Sequence, residues 1–381
     1  MSAVRFTAEH DAFRDSLRAF VAREIAPHVH AWDESGGFPR ELYAKAAALG
    51  LLGLGYPEEY GGTPADAGLR LIAIEEIARA GSGGLMASLL SHNIGLPPIL
   101  VHGSDALKRR VIPGVLRGEQ IAALAITEPS GGSDVARLRT TARLEGNEWV
   151  LDGEKVFITS GMRADWITTA VRTGAKGAAG ISLIAVPGDA PGLTRTALKK
   201  MGWWCSDTAQ LRFDHCRVPA ENIIGEVDTG FRMIMSNFNG ERLAMSAGAC
   251  TFAQVCHDEA LDWARQRQTF GQPLVSHQAI RHKLMDMRMR IASTRAWLHE
   301  LFARQDEGDL GADWVAEVCL LKNHATQTMQ FCADQAVQIL GAMGFMRGTA
   351  SERIYREVKV MMIGGGAEEI MKELAARQLG V

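Results

Sequence analysis

The sequence predicts an α+β protein built from an N-terminal helical domain, a middle antiparallel β domain and a C-terminal four-helix bundle. Apolar residues recur at helical spacing up to about residue 120, and again from about residue 230 to the end of the 381-residue chain. Short alternating runs with β character fill the stretch between them. Because strands and helices are segregated rather than alternating, a doubly wound parallel sheet is not favoured. We therefore expect domains at residues 1–120, 121–230 and 231–381.

The two helical regions have clear apolar faces. In "FRDSLRAFVAREI" the face is formed by Phe13, Leu17, Phe20 and Val21. In "HKLMDMRMRIASTRAWLHELF" it is formed by Leu284, Met287, Ile291, Leu298 and Leu301. Glycine, proline and serine break the first region into several helices, whereas the second region has room for a bundle of long helices.

The middle region contains a succession of β-like runs. They read "IAALAIT", "EWVLDG", "KVFITS", "DWITTAVRT", "GISLIAVP" and "AQLRFDHCRVP". The Asp152-Gly153 pair stands between two of these runs, and this dipeptide is a strong signal for a tight turn between antiparallel strands. We therefore expect a β-hairpin that turns at Asp152 and Gly153.

The composition is that of an ordinary globular protein, with 47% hydrophobic and 22% charged residues. A net charge of -3 gives no electrostatic reason to expect binding to nucleic acid or to an anionic membrane. The six cysteines form no C-x-x-C pair, and we expect them to be reduced core residues. The N-terminus lacks the features of a signal peptide, and no window approaches about 18 apolar residues. We expect a cytoplasmic protein.

Several common catalytic signatures are absent from the sequence. It contains no H-E-x-x-H zinc motif, no G-x-S-x-G elbow, no Walker loop and no G-x-G-x-x-G after a strand. Zinc hydrolysis, serine hydrolysis and dinucleotide binding by a doubly wound fold are therefore not favoured, and we expect no metal site.

Two polar stretches in the middle region favour a flat ligand that carries a phosphate. In "ITEPSGGSD", Thr127 and Ser133 lie in a glycine-rich turn whose hydroxyl and N–H groups can surround a heterocycle and a phosphate. Taken alone, this stretch is equally consistent with an ordinary β-turn. In "GEKVFITSG", Phe157 and Thr159 alternate onto one face, which gives an aromatic wall beside a hydroxyl. Together the two stretches suit a flavin.

Six stretches taken in order make the chain similar to the acyl-CoA dehydrogenase family over nearly its whole length. They are "ITEPSGGSD", "DGEKVFITSG", "MGWWCSDTAQLRFDHCRVPAENIIG", "RQTFGQPLVSHQAIRHKLMDM", "QILGAMGF" and "IGGGAEEIMKELAARQL". The resemblance implies the fold of that family, FAD as the cofactor, an acyl-CoA substrate and an electron-transferring flavoprotein as the acceptor. It also implies a homotetramer, arranged as a dimer of dimers.

The resemblance implies that the flavin lies between the β domain and the bundle. Thr127 then hydrogen-bonds the pyrimidine side of the ring, and Thr159 its reactive central edge. Phe157 shields one face of the ring, where many relatives have tryptophan. Ser133 lies near the pyrophosphate or the incoming CoA. The same flavin-binding set includes Leu124 and Ile126.

In the family, a neighbouring subunit completes the adenine end of the cofactor site. The matching positions are Arg267, Thr269, Phe270, Gln278, Gln338, Gly341 and Ala342. Arginine at position 267 suits this role, because a guanidinium can donate paired hydrogen bonds to pyrophosphate oxygens. The alternative for Arg267 is an ordinary surface salt bridge.

The family reaction requires a carboxylate that removes a proton from the carbon next to the thioester, while a hydride leaves the following carbon. Many members carry this glutamate in the loop before the last helix, where this chain has Gly365 in "IGGGAEEI". Long-chain, isovaleryl-type and citronellyl-type members instead carry the catalytic glutamate on the first bundle helix, immediately before an arginine. This chain resembles those members, because Glu241-Arg242 matches that pair. Glu368 and Glu369 remain as alternatives, although first-turn carboxylates commonly serve the helix dipole.

The resemblance also implies roles for the residues around this base. The backbone N–H of Gly365 binds the thioester carbonyl and stabilises the enolate-like transition state. Arg242 matches a position that contacts CoA, with a simple ion pair as the alternative. Burial against the acyl chain raises the pKa of Glu241 above about 4.3. The substrate-binding set is Ser133, Asn239, Arg242 and Gly364.

Gly364 and Gly365 both lack a side chain, so we expect a wider cavity near the reacting carbons than in relatives that carry Tyr-Glu there. This favours a branched-chain or a medium- to long-chain acyl-CoA, oxidised to the trans-2-enoyl-CoA in fatty acid β-oxidation. Ala367 replaces a threonine that is common in relatives. Two alternatives remain open: a flavin-dependent oxidase or monooxygenase on the same scaffold, and a homologue without a base that only binds acyl-CoA.

Overall fold

The computed structural model of the chain describes residues 4–308 and 310–381. The N-terminal domain contains the helices α1 (Ala8–Phe20), α2 (Val29–Ser35), α3 (Glu41–Ala48), α4 (Ala67–Ala78), α5 (Gly83–Leu89), α6 (His92–Gly95), α7 (Pro97–His102) and α8 (Asp105–Leu116). The middle domain contains the strands β1 (Ala122–Ala125), β2 (Thr141–Glu145), β3 (Glu148–Thr159), β4 (Trp166–Arg172), β5 (Ile181–Pro187), β6 (Leu193–Ala197), β7 (Thr208–Pro219) and β8 (Ile223–Ile224). The C-terminal domain contains α9 (Gly230–Gln266), the short strands β9 (Gln268–Thr269) and β10 (Gln272–Pro273), α10 (Gln278–Asp306), α11 (Ala312–Leu340), α12 (Ala342–Phe345), α13 (Ala350–Ile363) and α14 (Glu368–Leu379).

Short polar side chains begin several of the N-terminal helices. The Asp66 carboxylate accepts a hydrogen bond from the N–H of Leu69 at the start of α4, at 2.9 Å. The Ser82 hydroxyl accepts one from the N–H of Leu85 at the start of α5, at 3.2 Å. Each cap satisfies a backbone donor that has no partner within its own helix.

A helix that crosses a bilayer must be both long and apolar. In the described part of the chain no single helix meets both requirements; the bent pair Gly83–Leu89 and His92–His102, with an angle of 52° between its parts, meets them only when taken together.

The strands form a sheet in which most neighbours are antiparallel, as the sequence predicts. The strand order is β6-β7-β3-β2-β4-β5-β8, and β1 pairs with β4 outside this path. Two pairings are parallel: β1 with β4, and β2 with β4 where Thr141 lies opposite Arg172. The chain that leaves β1 runs beside β3, where the N–H of Val156 donates to the Thr127 carbonyl at 2.8 Å.

The predicted hairpin turn at Asp152 and Gly153 is wrong. Both residues lie inside the continuous strand β3, at a bulge where the register against β7 shifts between Leu151 and Gly153. Glycine is required there because φ is +144° and a Cβ would lie 2.7 Å from the Cα of Thr140. The hairpin turn instead connects β2 to β3 and includes Gly146, whose φ is +63°.

The C-terminal domain is a bundle of long helices around an apolar core. Helices α9, α10 and α11 pack on one another, and α13 and α14 both contact α11. The predicted apolar face of α10 is confirmed, because its five residues are 0–3% exposed and belong to this core. All six cysteines are free and buried, as the sequence predicts.

A buried ionic cluster joins the three domains. Glu357 of α13 accepts hydrogen bonds from the N–H of Gly83, at the start of α5, at 2.7 Å, and from the N–H of Trp203, in the middle domain, at 3.3 Å. Arg356 also reaches the carboxylate of Asp33 on α2 at 3.1 Å. Burial raises the pKa of Glu357 to about 7, because the charged form loses its contact with water. These contacts fix how the two helical domains meet at the sheet.

Candidate active site

A buried ion pair holds the loop that contains "ITEPSGGSD". The Lys155 side chain, on β3, is fully buried, and its ammonium group donates to the Glu128 carboxylate and to the Ile126 carbonyl, both at 2.9 Å. The same carboxylate accepts the N–H groups of Arg139 at 2.6 Å and of Thr140 at 2.8 Å. The pair therefore ties the first residues of the loop to the residues that lead into β2.

Burial and pairing act in opposite directions on these two charges. Burial lowers the pKa of Lys155 to about 8, against the attraction of the Glu128 carboxylate. Burial also works to raise the pKa of Glu128, but the Lys155 charge and the hydrogen bonds at Thr140 hold it below its usual value. Both groups are therefore ionised at neutral pH. No motif in the sequence predicts this ion pair. The only sign of it is that a lysine occupies an otherwise apolar position of β3.

Phe157 and Thr159 lie on β3 beside the loop residue Thr127. The register of β3 shifts again between Lys155 and Ile158, and within this second bulge Phe157 has a φ of +62°. Such a value is strained for a bulky residue. The Phe157 ring is 68% exposed, and Thr127 and Thr159 are partly exposed. An open aromatic face beside two hydroxyl groups fits the flat ring of FAD.

The other residues assigned to this half of the cofactor contribute differently. Ser133 is exposed in the loop and Leu124 is partly exposed on β1. Ile126 is 7% exposed and its carbonyl is bonded to Lys155, so its side chain belongs to the core rather than to a ligand surface. A Cβ on Gly132 would lie 3.1 Å from Cγ2 of Thr127, so glycine lets the loop stay close to that threonine.

The residues assigned to the adenine end lie in the C-terminal domain. Phe270, in the turn between β9 and β10, is 97% exposed and has a φ of +50°. The Arg267 guanidinium makes no ion pair with the residues that the structure describes, so the surface salt bridge is not found among them. Thr269 is half-buried, and the remaining members of the group, Gln278, Gln338, Gly341 and Ala342, are exposed. Across the described ranges, no hydrogen bond connects this group with Thr127, Phe157 or Thr159.

Helix α9 carries a carboxylate with a buried, unpaired oxygen. Among the residues described, the Oε2 atom of Glu241 finds no hydrogen-bond partner. Burial raises the pKa of this carboxyl to about 7, and the positive charges of Arg242 and Lys322 oppose the rise. A buried polar atom without a partner is rare and needs an explanation. A pKa near neutral is also the value that suits a general base.

The neighbouring Arg242 binds the glycine loop. Its Nε donates to the Gly365 carbonyl at 2.9 Å, and its Nη1 donates to Oδ1 of Asn239 at 3.0 Å. Its guanidinium also lies over the Phe238 ring, 5.5 Å from the centroid. Neither hydrogen bond goes to a carboxylate. The alternative role for Arg242, a simple ion pair, therefore does not explain how this side chain is held. Arg242 is 5% exposed, which leaves little surface for direct contact with CoA.

Lys322 of α11 holds the same loop at two further points. Its side chain is fully buried, and its ammonium group donates to the carbonyls of Met362 at 2.9 Å and Gly366 at 2.7 Å. Burial, together with the charge of Arg242, lowers the pKa of Lys322 to about 8, and the carboxylates of Glu241 and Glu368 oppose this fall. No sequence motif predicts the role of this lysine either, because its hydrogen-bond acceptors are backbone carbonyls.

Two of the three glycines have a backbone conformation that side chains disfavour. Gly365 has a φ of +67° and Gly366 a φ of +117°. A Cβ on Gly365 would lie 2.9 Å from Sδ of Met245, so Met245 fills part of the space that the sequence predicts to be open. In the described part of the chain, the N–H of Gly365 donates to no other group. It therefore remains available to a ligand.

The two alternative carboxylates lie in the first turn of α14. Glu368 accepts hydrogen bonds from Nε2 of Gln327 and Nζ of Lys372, both at 2.8 Å. The bond from Lys372 is the main reason why the pKa of Glu368 lies below its usual value. Glu369 is exposed. Of the three carboxylates considered from the sequence, Glu241 is the one with a raised pKa and a buried, unpaired oxygen.

Family models of the acyl-CoA dehydrogenases match nearly the whole chain. The model of the N-terminal domain matches residues 7–119, that of the middle domain residues 123–216, and that of the C-terminal domain residues 228–380. The chain belongs to the acyl-CoA dehydrogenase family. The protein is therefore an oxidoreductase that acts on a CH–CH group of its donor, with FAD as its cofactor.

Known proteins resemble the chain over almost its full length. The mitochondrial long-chain specific acyl-CoA dehydrogenase of Sus scrofa is 35% identical, over 98% of this chain and 87% of its own length. The structure of a probable acyl-CoA dehydrogenase from Mycobacterium abscessus is 45% identical, with a TM-score of 0.95 and coverage of 98% of this chain and 99% of that one. A chain in the structure described as "Electron transferring flavoprotein of Acidaminococcus fermentans" is 28% identical, with a TM-score of 0.94 and coverage of 99% of both chains.

The buried pair can be tested by removing its cation. Lys155→Met leaves the Glu128 carboxylate buried without its partner, and we expect a loss of about 3–5 kcal/mol of stability. The measurement is urea unfolding of the FAD-loaded protein, followed by flavin fluorescence. The control is Lys176→Met, which removes an exposed charge and should change stability by less than about 0.5 kcal/mol. Equal unfolding midpoints for the two variants would show that the pair does not hold the loop.

The contact between the glycine loop and Met245 can be tested with Gly365→Ala. This change puts a side chain at a φ of +67° and against Sδ of Met245, so we expect a loss of about 1–3 kcal/mol. Gly50→Ala is the matched control, because its φ is +81° and a Cβ there meets nothing within 4 Å. Thermal unfolding should show a larger loss for Gly365→Ala, and adding Met245→Ala should recover the excess. Without recovery, the loss would come from the backbone alone.

Proposed function

We propose that Glu241 is the general base that removes the α-proton of an acyl-CoA. The observation that carries the proposal is the buried Oε2 of Glu241, which has no hydrogen-bond partner among the described residues and lies next to the arginine that binds the glycine loop. The carboxylate takes the proton as the α C–H bond breaks, and the C2–C3 double bond of a trans-2-enoyl-CoA forms. FAD, when bound, takes up the two electrons and the second hydrogen that the β-carbon gives up.

The N–H of Gly365 binds the thioester carbonyl in this proposal. Negative charge grows on that oxygen as the α-proton leaves, and a fixed backbone donor stabilises it. Hydrogen bonds from Arg242 to Gly365, and from Lys322 to Met362 and Gly366, support this role because they fix the backbone around the N–H. The proposed contacts to the rest of the substrate are made by Ser133, Asn239, Gly364 and, through the loop, Arg242.

The residues proposed to hold the flavin ring are Thr127, Phe157 and Thr159, with Leu124 and the backbone of Ile126 beside them. The exposure of the Phe157 ring supports this assignment, because an open aromatic face can stack on a flat ring. Ser133 is assigned to the phosphates or to the incoming CoA. The two threonine hydroxyls can both donate to and accept from the polar edge of the ring.

We also propose a homotetramer in which a neighbouring subunit completes the adenine end of the site. The 97% exposure of Phe270 supports this arrangement, because it leaves an apolar ring in water in the single chain. The Arg267 guanidinium is likewise open to a phosphate. Gln278 and Thr269 near the same hairpin, together with Gln338, Gly341 and Ala342, complete the proposed surface.

The substrate is proposed to be a branched-chain or medium- to long-chain acyl-CoA of fatty acid β-oxidation. The absence of side chains at Gly364 and Gly365 supports this class, although Met245 takes up part of the space. The likeness to a long-chain specific dehydrogenase agrees with it. The proposed acceptor is an electron-transferring flavoprotein, and the proposed location is cytoplasmic, where buried free thiols are expected to stay reduced.

The base is tested by Glu241→Gln, which keeps the size of the side chain and removes its ability to accept a proton. We expect flavin reduction by acyl-CoA to fall by about 10²–10⁴-fold. The measurement is the anaerobic loss of oxidised-flavin absorbance with a panel of straight and branched acyl-CoAs. The thioester that reduces wild-type flavin fastest identifies the acyl class. A preference for short straight chains, without turnover of β-branched ones, would contradict the proposed substrate.

Glu368→Gln and Glu369→Gln are the matched controls and should reduce flavin like the wild type. If Glu241→Gln reduces flavin normally and Glu368→Gln does not, the base lies on α14. Oxygen consumption by the reduced wild type without an added acceptor would favour the oxidase or monooxygenase. A wild type that binds FAD and thioester without flavin reduction would favour the homologue that only binds acyl-CoA.

The pH dependence of flavin reduction follows from the burial of Glu241. Because burial raises the pKa of this carboxyl to about 7 and only the ionised form accepts a proton, kcat/KM should rise with pH through a midpoint near 7. Below the midpoint the rate should fall about tenfold for each pH unit. Stopped-flow reduction between about pH 5.5 and about pH 9 measures the profile. A flat profile across this range would contradict the assignment.

A further inference from the structure

The Lys322 ammonium group bonds the backbone on both sides of Gly365. One acceptor is the Met362 carbonyl in the last turn of α13, at 2.9 Å, and the other is the Gly366 carbonyl, at 2.7 Å. Between these two points lie the unpaired N–H of Gly365 and the carbonyl that Arg242 holds. The lysine therefore determines how the peptide groups around Gly365 are arranged.

A neutral side chain could donate hydrogen bonds to two carbonyls, so the positive charge needs a separate reason. Placing an ammonium group in a fully buried position is unfavourable unless negative charge or hydrogen-bond acceptors compensate it. In the described part of the chain, no carboxylate oxygen forms a salt bridge with Lys322. The two carbonyl acceptors compensate part of the charge, and the carboxylates that act on Lys322 do so from beyond salt-bridge distance.

The titratable groups with the largest effects on the charge of Lys322 lie on three helices. Arg242 and Glu241 belong to α9, Glu368 to α14 and Cys319 to α11 itself, whereas α13 contributes a carbonyl. The Glu368 carboxylate is already bonded to a surface lysine and a glutamine. The Cys319 thiol stays neutral because burial raises its pKa. Glu241 is then the acid with an unpaired oxygen, and the charges that act on it are those of Arg242 and Lys322.

We infer that Lys322 is a positioning residue for the dehydrogenation: it fixes the backbone that presents the Gly365 N–H, and from beyond salt-bridge distance its positive charge favours the ionised Glu241 carboxylate. The inference rests on the proposed function, since it requires Glu241 to be the base. Before proton transfer, the charge of Lys322 favours the ionised carboxylate. After transfer, Glu241 is neutral and the negative charge lies on the thioester oxygen, which is bound by the loop that Lys322 holds.

The test replaces the lysine by a side chain of similar length without charge. In FAD-loaded Lys322→Met, we expect the midpoint of the pH profile of kcat/KM to rise by about one pH unit, so that flavin reduction at pH 6 falls about tenfold. Near pH 9, Glu241 is ionised in both proteins and Lys322 is largely neutral in the wild type, so a remaining loss of about tenfold in kcat without a rise in KM, which we expect there, reports the lost hydrogen bonds. The control is Lys372→Met, which removes an exposed positive charge from α14 and should leave the profile unchanged.

Two further variants separate the charge from the hydrogen bonds. Lys322→Arg keeps the charge but alters the donor geometry, so the wild-type midpoint should remain while kcat near pH 9 falls. Lys322→Gln keeps a donor but loses the charge, so its midpoint should rise with a smaller loss near pH 9 than in Lys322→Met. If Lys322→Met does not retain FAD, these two variants carry the test.

The outcomes distinguish this inference from the proposed function. Suppose that Glu241→Gln abolishes flavin reduction while the neutral Lys322 variants keep the wild-type midpoint and kcat. The assignment of Glu241 as the base is then supported, and the positioning role of Lys322 is overturned. Lower thermal stability with an unmoved pH profile would also overturn it, because a purely structural lysine would give that result. If Glu241→Gln reduces flavin like the wild type, the proposed base itself fails, and the inference fails with it.

Discussion

The site depends on one constraint: its two loops cannot satisfy their own buried carbonyl groups. A helix or a sheet supplies partners for its backbone, whereas a loop must find them elsewhere, and an unpaired buried group costs about 1–3 kcal/mol. On the sheet side, Lys155 bonds the Ile126 carbonyl. On the bundle side, Lys322 bonds the carbonyls of Met362 and Gly366. Because both lysines are fully buried, the loops stay fixed while their N–H and hydroxyl groups remain open to ligands.

The two lysines differ in how their charge is balanced. Lys155 lies 2.9 Å from the Glu128 carboxylate, so the two charges balance each other directly and the pair serves only to hold the loop. In the described part of the chain, Lys322 touches carbonyls instead of a carboxylate, so its charge acts over a longer range on Glu241. The two lysines therefore differ in whether their charge is neutralised by direct contact with a carboxylate. The same residue type therefore stabilises one wall of the site and, in the proposed mechanism, favours the ionised form of the base on the other.

Local spacing was sufficient to predict the order of the domains and the buried face of α10, because the burial of an amphipathic helix depends on its own sequence. It was not sufficient at Asp152-Gly153, where a turn and a bulge both require glycine and only the partner strand distinguishes them. The choice of Glu241 depended on the resemblance together with the missing loop carboxylate. The only sequence signal of Lys155 is its position in an apolar run, because its partner Glu128 lies 27 residues away along the chain. Lys322 leaves no such signal, because its hydrogen-bond acceptors are backbone carbonyls.

In the proposed mechanism the base lies on α9, and this changes what the glycine loop has to do. A loop glutamate at position 365 would need a side chain where φ is +67° and where Met245 now lies. Glycine removes both conflicts, so the loop can present a single N–H group. The base in turn gains a backbone fixed by helical hydrogen bonds, although its carboxylate lies in a drier position that raises its pKa to about 7. The positive charges of Arg242 and Lys322 oppose this rise in pKa, and both side chains also donate hydrogen bonds to the loop.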